Sequence, residues 1–329
     1  MSFSLDAKSE VASNSLPKSI ACKTAMLSGI LRTAGNLGLS SGHYNVQVST
    51  EIEGMASVLE HLIKAIYSKQ NVLTVQKEEK QNHSIRYIIT IEPELSDKIL
   101  YDCYILKKNY FGDTEIVKGI SKYVVADIES EKSFVVGAFL GCASANIVIK
   151  DINDLKKHAG GYHLEFVFNQ YELAGDFLHL LADCGITSKM MQRKKLYVVY
   201  LKEAEVVSDL LALVGANNAV MTLQNEFAVR EVRNQLNRQL NCINSNLQKM
   251  VSASVKQIDS IEYIAKHEGL ESLPSSLYEL CILRLANPEE SYENLAKLMT
   301  TPLTKSGVNH RLRRIVKMAD KLKQQNGDM

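Results

Sequence analysis

At 329 residues, 46% apolar and 23% charged, the chain is too long for one small module and too apolar to stay disordered. Its 38 Lys and Arg against 37 Asp and Glu leave a formal net charge of +1, so the chain as a whole is no magnet for polyanions and any electrostatic signal is local. No apolar run approaches the ~18–20 residues of a membrane helix, and the opening MSFSLDAKSEVASNS lacks the basic start and apolar stretch of a signal peptide, so cytoplasmic residence without a membrane partner is expected. Cys22, Cys103, Cys142, Cys184, Cys242 and Cys281 form no CxxC pair and no zinc-ligand spacing. They read as reduced, mostly buried thiols, and neither a metal nor a cofactor is expected.

After a short helical extension over residues 1–19, the chain repeats itself. Residues 20–106 read as an apolar helix around Met26 to Gly35, strands near Leu37–Leu39 and Tyr44–Thr50, a helix Met55–Tyr67, strands Val72–Glu78 and Ile85–Glu92, and a helix from Pro93 to about Leu106. Residues 130–215 follow the same order: SEKSFVVGAFLGCASA, strands near Asn146–Lys150 and His163–Asn169, a helix Tyr171–Cys184, strands Ser188–Lys194 and Leu196–Leu201, and a helix Glu203–Val214. The expected fold class is therefore α+β, a pseudo-twofold αββαββα domain over residues 20–220. Tyr44–Val48 and His163–Val167 alternate polar and apolar, so each half offers one packed and one wet sheet face. Gly29 with Thr33, and Gly137 with Gly141, place small residues four apart in the two leading helices. Glycine inside a helix costs roughly 1 kcal/mol relative to alanine, which marks a close helix–helix approach at Gly29, Gly137 and Gly141; the alternative is chance, since small residues are common in buried helices.

Beyond residue 220 the pattern becomes all helical, with polar linker helices over 221–270 and a helix-turn-helix domain over 271–329. Residues 221–329 hold 15 basic and 12 acidic side chains against 23 and 25 in residues 1–220. Residues 297–323 hold eight Lys or Arg and one acid, Asp320. Ser276-Leu277-Tyr278-Glu279 reads as a capping box opening one helix, which ends before Asn287-Pro288. Ser291 caps a second with Leu295, Leu298 and Met299 as its apolar side. Thr304 caps a third, running to about Lys323, with Val308, Leu312, Ile315 and Ala319 as its buried stripe.

At 100° per residue the face opposite that stripe holds Ser306, His310, Arg313, Arg314, Lys317 and Lys321, flanked by Asn309 and Arg311. With Lys305 this donor-rich face suits a recognition helix in the major groove of double-stranded DNA, early residues reaching base edges and later cations reaching phosphates. A solvated polar face is the alternative, but such faces usually mix signs. In REVRNQLNRQLNCINSNLQK, Arg233, Asn234, Asn237, Arg238 and Asn241 could line one helix side and contact phosphates or a partner, or simply form a polar interdomain helix.

The segments MLSGILRTAGNL, FVVGAFLGCASA, GYHLEFVF, KKLYVVYLKEAE, RNQLNRQLNCINSN and TKSGVNHRLRRI together resemble the WhiA family of bacterial regulators over nearly the whole chain. The resemblance implies an N-terminal domain of LAGLIDADG homing-endonuclease fold and a C-terminal helix-turn-helix similar to that of sigma factors. It also implies a transcription regulator tied to cell division, chromosome segregation and, in filamentous spore formers, sporulation, with RNA polymerase or another regulator as candidate protein partners. In that fold each motif helix ends in a carboxylate that holds a divalent metal. Aligning the motif on Leu27–Gly35 and on Val135–Ala143 puts Ala34 and Cys142 at the acid positions, so no catalytic residue and no metal site is expected. Asp113, Asp127 and Asp151 lie elsewhere, and nothing in their spacing makes them replacements. A metal-dependent endonuclease is the competing reading. A third leaves DNA to the helix-turn-helix and gives the saddle, whose KEEKQNHSIR and KMMQRKK segments carry some cations, a protein or small-molecule partner.

Overall fold

The computed structural model describes residues 2–40, 42–79, 85–147 and 161–327, and the chain divides into two compact units, Met1–Val229 and Arg230–Met329. The first unit opens on α1 (Phe3–Ser13), whose cap is the Ser2 hydroxyl accepting from the Leu5 N–H and whose Ala7 and Val11 are buried. The first repeat follows as α2 (Ile20–Ala34), β1 (Gly35–Ser40), β2 (His43–Thr50), α3 (Met55–Tyr67), β3 (Leu73–Glu79), β4 (Ile85–Ile91) and α4 (Pro93–Asp102). A hairpin of β5 (Leu106–Lys108) and β6 (Thr114–Ile116) separates it from the second. That repeat is α5 (Ile128–Cys142), β7 (Ala143–Ile147), β8 (Tyr162–Phe168), α6 (Tyr171–Asp183), β9 (Lys189–Arg193), β10 (Leu196–Leu201) and α7 (Ala204–Leu213).

The two sheets are antiparallel and have the same strand order, β1-β2-β4-β3 and β7-β8-β10-β9. This is the doubled αββαββα order. Register places apolar residues opposite one another on the packed face: Val46 with Ile91 and Val48 with Ile89 in one sheet, Leu164 with Leu201 and Phe166 with Val199 in the other, all essentially buried. Their neighbours Gln47 with Thr90, and Glu165 with Tyr200, take the other face, as period-two alternation requires.

Helices α2 and α5 pack on each other at the centre of this unit. A side chain at Gly29 would put its Cβ 2.5 Å from the Phe134 carbonyl oxygen; one at Gly137 would meet the Met26 carbonyl, and one at Gly141 the Thr33 hydroxyl. Thr33 Oγ1 itself donates to the Gly29 carbonyl at 2.7 Å, so the polar atom in the seam is satisfied. The small residues thus mark backbone-to-backbone contact, with Leu27, Ile30, Phe134 and Ala138 fully buried around it.

Several boundaries differ from expectation. Helix α2 starts at Ile20, six residues before Met26, because Ser19 caps it by accepting from the Cys22 N–H. Helix α4 stops at Asp102 and not near Leu106: Tyr104 takes a left-handed conformation (φ 51) and the Ile105 N–H returns to the Leu100 carbonyl at 2.9 Å, freeing Leu106 for the unanticipated hairpin. The strand expected over Asn146–Lys150 begins at Ala143, and residues 148–150 lie outside the described residues. In place of several linker helices there is one continuous 51-residue helix, α8 (Asn217–His267). Its Asn residues are poor helix formers but do not break it, because exposed Asn costs only a few tenths of a kcal/mol per position, about 0.5 or so. The division between units falls at Val229 within this helix, where the sequence suggested residue 220.

The seam makes a direct prediction. Gly137→Ala should lower the unfolding free energy by about 1–3 kcal/mol or more, because the neighbour it meets is backbone that cannot rotate away. Gly175→Ala, in α6 with nothing within 4 Å of its added methyl, should instead stabilise by up to about 1 kcal/mol. Denaturant midpoints of the two variants check both; equal midpoints would contradict the close approach.

Candidate nucleic-acid interface

The second unit is built from the C-terminal part of α8, a 3-10 turn at Leu270–Ser272, α9 (Ser275–Ala286), α10 (Tyr292–Leu298) and α11 (Lys305–Asn326). Ile261 and Ile264 of α8, Leu280 and Cys281 of α9, Leu295 of α10, and Val308, Leu312, Ile315 and Ala319 of α11 are nearly or wholly inaccessible and form one core. The expected buried stripe of α11 is therefore the observed one. On α10, Leu295 and Met299 face inward as expected, whereas Leu298 is 51% exposed, since its position points away from α11.

Caps position the last two helices. Ser291 accepts from the Asn294 N–H at 3.2 Å, and Thr304 accepts from the Gly307 N–H at 3.1 Å, so α11 starts at a fixed point after the Met299–Leu303 link. The capping box read at Ser276–Glu279 does not form. Helix α9 begins two residues earlier, directly after Pro274 and without a side-chain cap, and Glu279 reaches across to accept the Thr300 N–H. That bond holds the Glu279 carboxyl below its usual value, with Arg311 adding a weaker pull. Arg284, which the sequence did not single out, is 1% exposed; its Nη1 donates to the Glu290 carbonyl at 2.9 Å and the guanidinium lies 5.6 Å from the Tyr292 ring centre, so it organises the α9–α10 connection. An isolated arginine within an apolar helix pattern looks like any exposed cation in sequence, which is why it was missed.

On α11, Ser306, His310, Arg313, Arg314, Lys317 and Lys321 are exposed and share the side away from the core; Lys305 is exposed at the first position and Asn309 half-buried, both on the flank of the buried stripe. Among the described residues none of Lys305, Arg313, Arg314, Lys317 or Lys321 forms an ion pair. A wet face of ordinary composition would carry such pairs. Two cations of the same helix are turned to internal work. Arg311 donates to the Ser276 carbonyl at 3.3 Å and ties α11 to α9, which sets it apart from the cations expected to meet DNA, and Lys323 lies 5.0 Å from the Tyr263 ring of α8. On α8 itself, Asn234, Asn237, Arg238 and Asn241 are exposed and Arg233 is half-buried, all within an arc of about 140° at 100° per residue.

In the first unit, Ala34 closes α2 and Cys142 closes α5. Burial pushes the Cys142 thiol up to about 12, so it stays protonated, and the neighbouring charge that opposes this is the Lys8 ammonium from α1. Asp127 sits at the opposite end of α5 as its N-cap, accepting from the Ser130 N–H at 2.8 Å; Asp113 lies in the β5–β6 turn, and Asp151 lies outside the described residues. Among the described residues no group of three His, Cys, Asp or Glu side chains is arranged to hold a metal ion. Among the described residues no helix is long and apolar enough to cross a membrane.

Three family models match this chain in succession: the WhiA N-terminal LAGLIDADG-like domain over residues 21–106, the WhiA LAGLIDADG-like domain over 131–233 and the WhiA C-terminal HTH domain over 236–319. The probable cell division protein WhiA of Clostridium acetobutylicum is 37% identical over 327 residues, covering 99% of both chains. That of Clostridium botulinum is 35% identical over 325 residues, covering 98% of this chain and 99% of its own. The crystal structure of full-length DUF199/WhiA from Thermatoga maritima has the same fold, with a TM-score of 0.57 at 24% identity and coverage of 98% and 99%. The LAGLIDADG-like doubled domain and the helix-turn-helix derived above are thus those of a known family, and the chain belongs to the WhiA family.

Proposed function

We propose that the chain is a non-enzymatic, sequence-specific DNA-binding regulator of transcription that acts in cell division, with α11 as the recognition helix. The observation that carries this is the α11 face: four cations, Arg313, Arg314, Lys317 and Lys321, with no ion-pair partner among the described residues, on a helix whose other side is locked into a capped helix-turn-helix core. Lys305, Ser306, Asn309 and His310 occupy the first turns, which enter a major groove most deeply, and are assigned to base edges. Arg313, Arg314 and Lys317 follow, and are assigned to the phosphates that flank the groove. Arg233, Asn234, Asn237, Arg238 and Asn241 are assigned a supporting contact with flanking phosphate. Links to chromosome segregation and sporulation, and contact with RNA polymerase, belong to this proposal by family resemblance alone.

The endonuclease reading is disfavoured by the chemistry at the two acid positions. Ala34 offers no ligand atom, and the Cys142 thiol, protonated at neutral pH beside an ammonium, is no oxygen donor for magnesium. Purified protein incubated with supercoiled plasmid and magnesium is expected to leave it intact; magnesium-dependent nicking would overturn this part of the proposal.

Two substitutions separate the roles on α11. Lys317→Ala should weaken specific and random duplexes alike and reduce the slope of log affinity against log salt by about 0.9, the signature of one lost phosphate contact. Asn309→Ala should cost about 1–3 kcal/mol on the preferred site and little elsewhere. Titrations on both duplexes at several salt concentrations read this out, and equal weakening of both by Asn309→Ala would remove base reading from the helix start.

A further inference from the structure

The DNA-binding reading leaves unused a cleft of about 380 Å3 in the first unit, at the junction of α5 and β7. Its volume is in the range of small-molecule sites. The first turns of α1 form one wall, the end of β2 and Arg86 of β4 the other, and Gly141, Ala143 and Ser144 the floor. Ser4 Oγ accepts the Ala145 N–H at 3.1 Å, so α1 is fastened to β7 with its N-terminus in the cleft. Lys8 and Arg86 supply two cations there. Hydroxyls of Ser2, Ser49 and Ser144 supply donors, and Glu51, the one acid in the lining, already has a partner.

Lys8 is the telling residue. Its side chain is half-buried, its ammonium makes no hydrogen bond or ion pair among the described residues, and burial lowers its pKa to about 8 against the weaker opposing pulls of Cys142 and Glu51. The matching junction of α2 and β1 holds a second cleft, and there the chain supplies acceptors to both terminal nitrogens of its cation: Arg32 Nη1 donates to the Val117 carbonyl at 3.0 Å and Nη2 to the Tyr104 carbonyl at 2.6 Å. The repeat thus presents one closed cation and one open one. A half-buried ammonium given no acceptor by the chain keeps its donors for a ligand that brings one.

We propose that this cleft is a binding site for a small phosphorylated molecule, whose phosphoryl group rests between Lys8, Arg86 and the N-terminal turn of α1. Two convergent cations, a helix N-terminus and serine hydroxyls are the donors that phosphate takes. The site stands independently of DNA reading by α11. A phosphate of the DNA backbone offers the same chemistry, and the test separates the two sources.

The probe is inorganic pyrophosphate with the full chain. Calorimetric titration at pH 7 should show saturable binding, at least tenfold weaker in Lys8→Met and in Arg86→Gln and unchanged in Lys317→Ala. Independently, the pH profile of amine labelling at Lys8 in the wild-type chain, read by mass spectrometry, should have its midpoint near 8 and move upward with pyrophosphate, because bound anion favours the ammonium. Lys8 is the group that titrates in that window, since the Cys142 thiol beside it stays protonated up to about 12. The labelling arm decides even if a variant fails to fold. Absence of binding, binding indifferent to Lys8→Met, or protection of Lys8 by duplex DNA and not by pyrophosphate would each overturn the proposal.

Discussion

The contact of α2 with α5 is the constraint on which the rest of the first unit depends. Two helices approach this closely only where Gly29, Gly137 and Gly141 lack side chains, and each glycine leaves room for a carbonyl or hydroxyl of the other helix, those of Phe134, Met26 and Thr33. Because each helix runs directly into the first strand of its own sheet, β1 after Ala34 and β7 after Ala143's predecessor Cys142, fixing the helices fixes both sheets about one pseudo-twofold axis. The sheets then cover the helix pair with Val46, Val48, Leu164 and Phe166, and the opposite faces are left wet. The seam asks only for small residues, so it does not depend on which side chains, here Ala34 and Cys142, close the two helices.

That duplication was legible because period and punctuation agree. Helix ends with glycine were read within a residue: Gly185 and Gly215 both adopt positive φ, and the N–H groups of Ile186 and Ala216 return to Leu181 and Leu211. The same motif ends α4, but with Tyr104 in the left-handed position the sequence carries no glycine to announce it, and the β5–β6 hairpin was missed as a consequence. Side-chain caps behaved likewise. Ser291 and Thr304 cap as their sequence suggests, while Ser276 fails because Pro274 starts the helix two residues sooner and Glu279 finds its donor in Thr300.

The candidate site divides along the same line. A helix face is a local property, so the exposed side of α11 follows from 100° steps once the buried stripe is known. Arg311, Lys323 and Arg284 depend on partners 35, 60 or 6 residues away, at Ser276, Tyr263 and Glu290, and nothing in their neighbourhood distinguishes them from exposed cations. Lys8 is the extreme case. It becomes informative only when α1 is seen against the end of α5, with the Cys142 thiol beside it and no hydrogen-bond acceptor among the described residues.

The central claim is that DNA is read through α11 and not through the sheets of the first unit. A photo-activated cross-linking residue placed at Asn309, or at exposed Met191 of β9, would test it in living cells, with captured chromosomal fragments sequenced. The account predicts that position 309 recovers fragments sharing a common sequence and that position 191 recovers none above background. Enrichment of a common sequence at 191 with nothing at 309 would contradict it.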